Sequence, residues 1–194
     1  MIPMITAPRF NLEDAERAYD EWGANCGPGA VAAIMGMTLD EVRPIMEAEG
    51  FASKHYTNPS MMNAVLRRTG RAWRKIGAAW PDYGLVRVQW EGPWTHEGVP
   101  MRARYRYTHW IGAARRTGPT HDEYGVFDIN CINNGTGWCS YDDWKDTVVP
   151  YILKQYPRAS GAWHLTHAIE IQPTAKITRT VLSFPGDADL ELSR

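Results

Sequence analysis

The apolar residues of this chain change their repeat once, and that change restricts the fold more than any other feature. Up to Gly70 they recur every three or four positions, and from Val86 onward they alternate. The first repeat lays an apolar stripe along a helix, and the second lays one along a strand. Helices first and strands afterwards, in 194 residues, predict one α+β domain with N-terminal helices packed on a C-terminal antiparallel β-sheet. The helical part is expected over 12–75, the mainly β part over 84–172, and a C-terminal extension over 173–194.

Local signals set the elements within those limits. Asn11 is placed to cap a helix carrying Leu12, Ala15, Tyr19 and Trp22. A second helix should start at Cys26-Gly27-Pro28-Gly29. Thr38 and Glu41 have the spacing of a capping box, which opens a third helix running to Gly50. Asn58-Pro59 opens a fourth, ending at Gly70. Residues 101–111 predict a strand with one packed face, which includes His109, and one basic face holding Arg102, Arg104, Arg106 and Trp110. A turn at Pro119-Thr120 returns the chain through Val126, Phe127 and Asp128. Ser140 caps a helix that contains Trp144 and is interrupted or ended by Pro150. Trp163, Leu165, His167, Ile169 and Ile171 then alternate as another strand.

Composition narrows the function. Lys and Arg number 21 against 22 Asp and Glu, so the chain has no global electrostatic grip on nucleic acid or an acidic membrane. No stretch approaches the roughly 20 apolar residues of a membrane-spanning helix, and Met1–Arg9 lacks the basic start and apolar run of a secretory leader. Three cysteines, Cys26, Cys131 and Cys139, leave at least one thiol free, which fits a reducing, cytoplasmic setting. Nine tryptophans point to a tightly packed core or an aromatic-lined groove.

Cys26 carries the most chemical information. A thiolate is the nucleophilic form, and a helix N-terminus or a nearby imidazolium favours it. Cys26 stands where a glycine- and proline-containing turn enters a helix, and Gly27 and Gly29 leave room for a carbonyl to approach. His109 is the histidine on a rigid element. With a turn at Pro119-Thr120, Asn130 falls opposite His109 and Asp128 lies diagonal to it, so either could orient the imidazole.

The segment Asn25-Cys26-Gly27-Pro28-Gly29-Ala30-Val31-Ala32 resembles the nucleophile helix of papain-like cysteine peptidases, and most closely the bacterial C39-like group. Thr108-His109-Trp110-Ile111-Gly112 is similar to that group's histidine strand. Val126-Phe127-Asp128-Ile129-Asn130, followed by Gly135 and Ser140–Trp144, is similar to its acid strand, glycine loop and closing helix. The resemblance implies a papain-like fold and attack by Cys26 on a peptide or amide bond. A thioester intermediate, a Cys-His-Asn/Asp triad and a peptide or protein substrate go with it. That chemistry needs no metal or organic cofactor. The chain departs from the pattern about six residues before the cysteine. There the family has a glutamine whose amide holds the oxyanion, and this chain has Asp20. Asn25 and the Trp22 indole are the substitutes considered, with the Cys26 backbone N–H as the second donor. The departure keeps acyl transfer and non-catalytic binding on the same fold open beside hydrolysis.

Two unrelated chemistries compete. Cys131, Cys139, His164 and His167 could in principle ligate zinc, but they lack the short cysteine knuckle, and residues three apart on a strand diverge. Arg67, Arg68, Arg71, Arg74, Lys75, Arg102, Arg104, Arg106, Arg115 and Arg116, interleaved with aromatics, could bind single-stranded nucleic acid or phosphate.

Overall fold

A computed structural model of the chain describes residues 9–90, 98, 107–117, 120, 122–134, 136–154 and 162–172. Five helices come first: α1 (Leu12–Trp22), α2 (Cys26–Met35), α3 (Leu39–Ala48), α4 (Phe51–Lys54) and α5 (Pro59–Arg68). Their starts follow the capping signals. The Asn11 side chain accepts from the Asp14 N–H at 3.0 Å, and that of Asn58 accepts from the Met61 N–H at 2.8 Å. Thr38 and Glu41 close a full capping box. Buried Asp14 also accepts from the Leu39 N–H at 3.1 Å, tying α1 to the start of α3.

Among the described residues six strands follow: β1 (Trp73–Gly77), β2 (Tyr83–Trp90), β3 (Tyr107–Thr117), β4 (Asp122–Phe127), β5 (Trp138–Ser140) and β6 (Trp163–Ile171). They form one antiparallel sheet in the order β1-β6-β2-β3-β4-β5. A 3₁₀ segment, Ile129–Asn134, separates β4 from β5. The closing helix α6 comprises Tyr141–Asp143, a π segment Trp144–Val148 and Val149–Lys154. The architecture is α+β, with N-terminal helices and a C-terminal antiparallel sheet.

The sheet is buried on both faces. One face, with Leu85, Trp110, Ala114 and Ile169, packs on α1, α2, α3 and α5. The other, with Val86, Val88, Trp90, Ile111 and Val126, packs on Trp144, Val149 and Ile152 of α6. Trp22, Trp90, Trp110, Trp138 and Trp144 are all buried, so the tryptophans build cores on both sides.

Three expectations need correction, and the alternative left open at Pro150 is narrowed to an interruption. The helical part ends at Arg68, and Arg74 and Lys75 belong to β1, an edge strand whose charges blunt further pairing. Trp110 is not exposed on a charged face: it is buried under the helices, and its indole N–H donates to the Thr57 carbonyl at 2.8 Å. Arg102, Arg104 and Arg106 lie outside the described residues. Pro150 does not end α6, which runs on to Lys154. The π turn just before it donates from Val149 to Trp144, a wider ladder at the place where proline lacks a donor. Finally, β6 does not keep its alternation throughout. A bulge pairs Arg87 with His167 and Val88 with Leu165, so Thr166 is extra and the side-chain alternation inverts there. The extension over 173–194 lies outside the described residues. Among the described residues, no helix is long and apolar enough to cross a membrane.

Candidate active site

The site forms where the pairing of β4 with β3 stops. The hairpin register is the expected one, from Thr117 opposite Asp122 to Gly112 opposite Phe127. Beyond Phe127 the chain turns into the 3₁₀ segment, and the start of α2 approaches β3. The Trp110 backbone N–H there lies near enough to Cys26 to favour its thiolate. No side chain caps α2, so its first-turn N–H groups face the site unclaimed by a side-chain acceptor.

Cys26 and His109 lie close enough for each to shift the other's ionisation, and His109 is bonded to Asp128. His109 Nε2–H donates to Asp128 Oδ1 at 2.9 Å, which leaves Nδ1 as the ring nitrogen for the sulfur. Asp128 is wholly buried, and its two oxygens are fully engaged. Oδ1 also accepts from the Asn130 backbone N–H at 2.9 Å and from Asn130 Nδ2 at 2.8 Å. Oδ2 accepts from the Trp144 indole N–H at 2.8 Å. A buried carboxylate with this many donors is held both charged and fixed.

This decides the member left open by the sequence. Asp128 orients His109. Asn130 does not lie opposite His109, because the strand ends before it; it braces Asp128 from the 3₁₀ segment instead. The Trp90 ring lies 6.3 Å from the imidazole, centroid to centroid, and shields it on the α6 side.

The charges reinforce one another. Burial pushes the Cys26 thiol up, but the His109 hydrogen bond and charge and the Trp110 N–H outweigh it, and the thiol ends below its ordinary value. Burial pushes His109 down, yet the charge and hydrogen bond of Asp128, with those of Cys26, raise it to about 10. Burial likewise opposes ionisation of Asp128, and His109, Asn130 and Trp144 overcome it to hold the carboxyl low. The arrangement favours the thiolate-imidazolium form of the pair. Cys26 itself stays partly exposed.

An open groove of about 660 Å³ is lined by Tyr19, Asp20, Asn25, Ile129, Asn130 and Tyr151, which include chain neighbours of Cys26 and Asp128 but not those two residues or His109. Asn25 lines it with its amide anchored, Nδ2 donating to the Ala15 carbonyl at 3.0 Å. Asp20 brings a carboxylate to the same groove. Trp22 is used elsewhere: it is buried edge-on against Phe51, with ring centroids 5.1 Å apart and Arg43 stacked above it. The glycines after Cys26 are also spent on packing rather than on substrate access. A Cβ on Gly27 would overlap Thr57 Oγ1, and one on Gly29 would press on Ile129.

The remaining sequence candidates separate. Cys131 and Cys139 are free thiols with sulfurs 3.3 Å apart. His164 pairs across the sheet with Gln89 and His167 with Arg87, so the β6 bulge brings the two histidines to one face, against the divergence expected of residues three apart. Among the described residues no group of three or more His, Cys, Asp or Glu could hold a metal. Arg68 pairs with Glu49, Arg115 with Asp82 and Asp122, and Arg116 with Glu123. Trp144, Trp110 and Arg87 were not singled out as site residues. Trp144 had a signal, its place four residues after the helix cap Ser140; the other two became visible only through strand register.

No family model matches the chain, and neither a curated protein nor a solved structure matches it significantly.

Proposed function

We propose that the protein is a papain-like thiol hydrolase that cleaves a peptide or amide bond through an acyl-enzyme. The observation that carries this reading is buried His109, bonded to the wholly buried Asp128 carboxylate and electrostatically coupled to the partly exposed Cys26 thiol. A stable core has little use for a buried imidazolium between two anions, since desolvation opposes all three charges. A nucleophile needs such a set.

The Cys26 thiolate attacks the substrate carbonyl carbon, forming the C–S bond as the carbonyl π electrons move to oxygen. The Cys26 backbone N–H and the Asn25 amide, which lines the open groove, hold that oxyanion. Electrons return from oxygen, the C–N bond breaks, and His109 Nδ1–H protonates the departing amine. Neutral His109 then takes a proton from water as the water attacks the thioester. The second tetrahedral intermediate collapses, releasing the acid and the thiolate, and the imidazolium is restored. Asp128 keeps its charge throughout and holds the ring in one orientation. Asp20 in the groove opposes the oxyanion where the family's glutamine would stabilise it. One missing donor of that kind lowers rates by roughly a hundred- to a thousandfold. The reading therefore expects a slow enzyme.

The test is turnover of a peptide mixture followed by mass spectrometry. Wild type should release fragments and Cys26→Ala should release none. Fragments formed equally by Cys26→Ala, or capture of no acyl group on Cys26 by wild type, would refute the reading.

A further inference from the structure

We propose that Arg87 and Lys75, with Thr166, form a cationic subsite beside Cys26 that takes an acidic side chain of the substrate flanking the attacked carbonyl. The inference rests on the reading of Cys26 as the acylating nucleophile and names the substrate class for it.

Register places the pieces. Trp110, Arg87 and His167 are cross-strand neighbours on β3, β2 and β6, on the helix-covered face, and the Trp110 backbone N–H lies near Cys26. The β6 bulge turns Thr166 and His167 toward this row. Beside it lies a small cavity of about 100 Å³, lined by Asn63, Lys75, Trp110, Thr166 and His167 among others. Arg87 stands just behind the lining and meets it through Thr166, Nη1 donating to Thr166 Oγ1 at 3.2 Å. Its Nε is buried with no hydrogen-bond partner, an orphan donor on a cation.

What Arg87 lacks defines the ligand. Among the described residues no carboxylate pairs with it, although nearly every other described arginine on the helices and the β3–β4 hairpin has one, such as Arg17 with Asp40 and Arg43 with Glu21. Burial disfavours the Arg87 guanidinium and leaves it below its ordinary value, and the charge of Cys26 opposes that only in part. Burial, then the positive charges of Arg87 and Lys75, depress His167, so Arg87 and Lys75 act on one shared space. An incoming carboxylate would accept from Arg87 and meet Lys75 across the cavity, a charge-assisted arrangement. Asn63 Oδ1, also buried without a partner, is free to accept a backbone N–H of the bound chain. The cavity volume admits a short acidic side chain rather than a large one.

Peptidyl chloromethyl ketones test this without requiring turnover. Glutamate or its neutral isostere glutamine is placed at each of the two positions preceding the ketone, and the alkylation rate of Cys26 is read by mass spectrometry. At one position the glutamate probe should react at least about tenfold faster than the glutamine probe at low salt. The ratio should fall with added salt and collapse toward one in Arg87→Met. Lys75→Met, on an exposed edge strand, should lower it even if Arg87→Met does not fold. Selective labelling of Cys26 with a ratio near one at both positions would overturn the subsite and leave the nucleophile standing. So would a ratio that neither salt nor Lys75→Met changes. Failure of either probe to label Cys26 in preference to Cys131 and Cys139 would overturn the nucleophile and the subsite together.

Discussion

Two regions of this molecule hold thiols, and they treat sulfur in opposite ways. Cys26 stands at an uncapped helix start, partly exposed, facing an imidazole that a buried carboxylate keeps charged. Cys131 sits in the 3₁₀ segment against Cys139 of β5. The thiol contact with Cys139 comes first among the causes that push it above its ordinary value, followed by burial and by the charges of Cys139, Asp128 and Asp143. The difference teaches that Asp128 works in both directions. Its charge disfavours a thiolate at both cysteines, yet at Cys26 it is relayed through an imidazolium that more than reverses the sign.

The comparison can be broken most decisively by removing the sulfurs in turn. Cys26→Ala should abolish turnover and leave no fast-labelling site. The Cys131→Ala, Cys139→Ala double variant should keep fast labelling by iodoacetamide at pH 7. Fast labelling that followed Cys131 or Cys139 would reverse the assignment.

Next in size is the relay. Asp128→Asn should lower kcat/KM by roughly a thousandfold or more, since the imidazolium loses the charge that sustains it. The alkaline limb of the pH profile, set in wild type by His109 at about 10, should move to lower pH. Asp128 also carries an acid-stability signature. Its folded value lies below the ordinary carboxyl near 3.9, so its contribution is complete above that value and is lost as pH falls through the folded one. Denaturant midpoints of wild type and Asp128→Asn should therefore converge below about pH 4. Parallel curves would show that the carboxylate is not ionised in the native state.

Smaller effects sharpen the support around Asp128. Trp144→Phe keeps the ring in the α6 core but withdraws the indole N–H from Oδ2. Loss of a hydrogen bond to a buried charge should cost about 1.5–3 kcal/mol, measured by denaturant unfolding. The activity loss should be smaller than in Asp128→Asn. Smallest, Gly27→Ala forces a Cβ against Thr57 and should cost about 1–3 kcal/mol, partly recovered in the Gly27→Ala, Thr57→Ala double variant. Independent, additive effects would mean that the two residues do not touch.

Much of the frame was legible because its signals are local. Asn11, Thr38, Asn58 and Ser140 all cap helices where their spacing says they should. The hairpin register followed from one turn, and with it came the placement of His109 near Asp128. The choice between Asp128 and Asn130 was not legible, because a register carried past Phe127 assumes a strand that the chain abandons for a 3₁₀ turn. The β6 bulge was hidden for a related reason: unbroken alternation of apolar residues cannot show that one residue is extra. Trp22 and the two glycines were misjudged because the sequence does not say which groups their neighbours need for packing.

The most direct measurement is the rate of Cys26 alkylation by iodoacetamide as a function of pH, in wild type and in His109→Ala. A shared proton predicts reactivity already established well below the ordinary thiol midpoint near 8.5. It also predicts a second change near pH 10, as His109 loses its charge. In His109→Ala the curve should collapse to a single step at or above the ordinary midpoint. A wild-type curve with one ordinary step, unchanged by His109→Ala, would contradict the account.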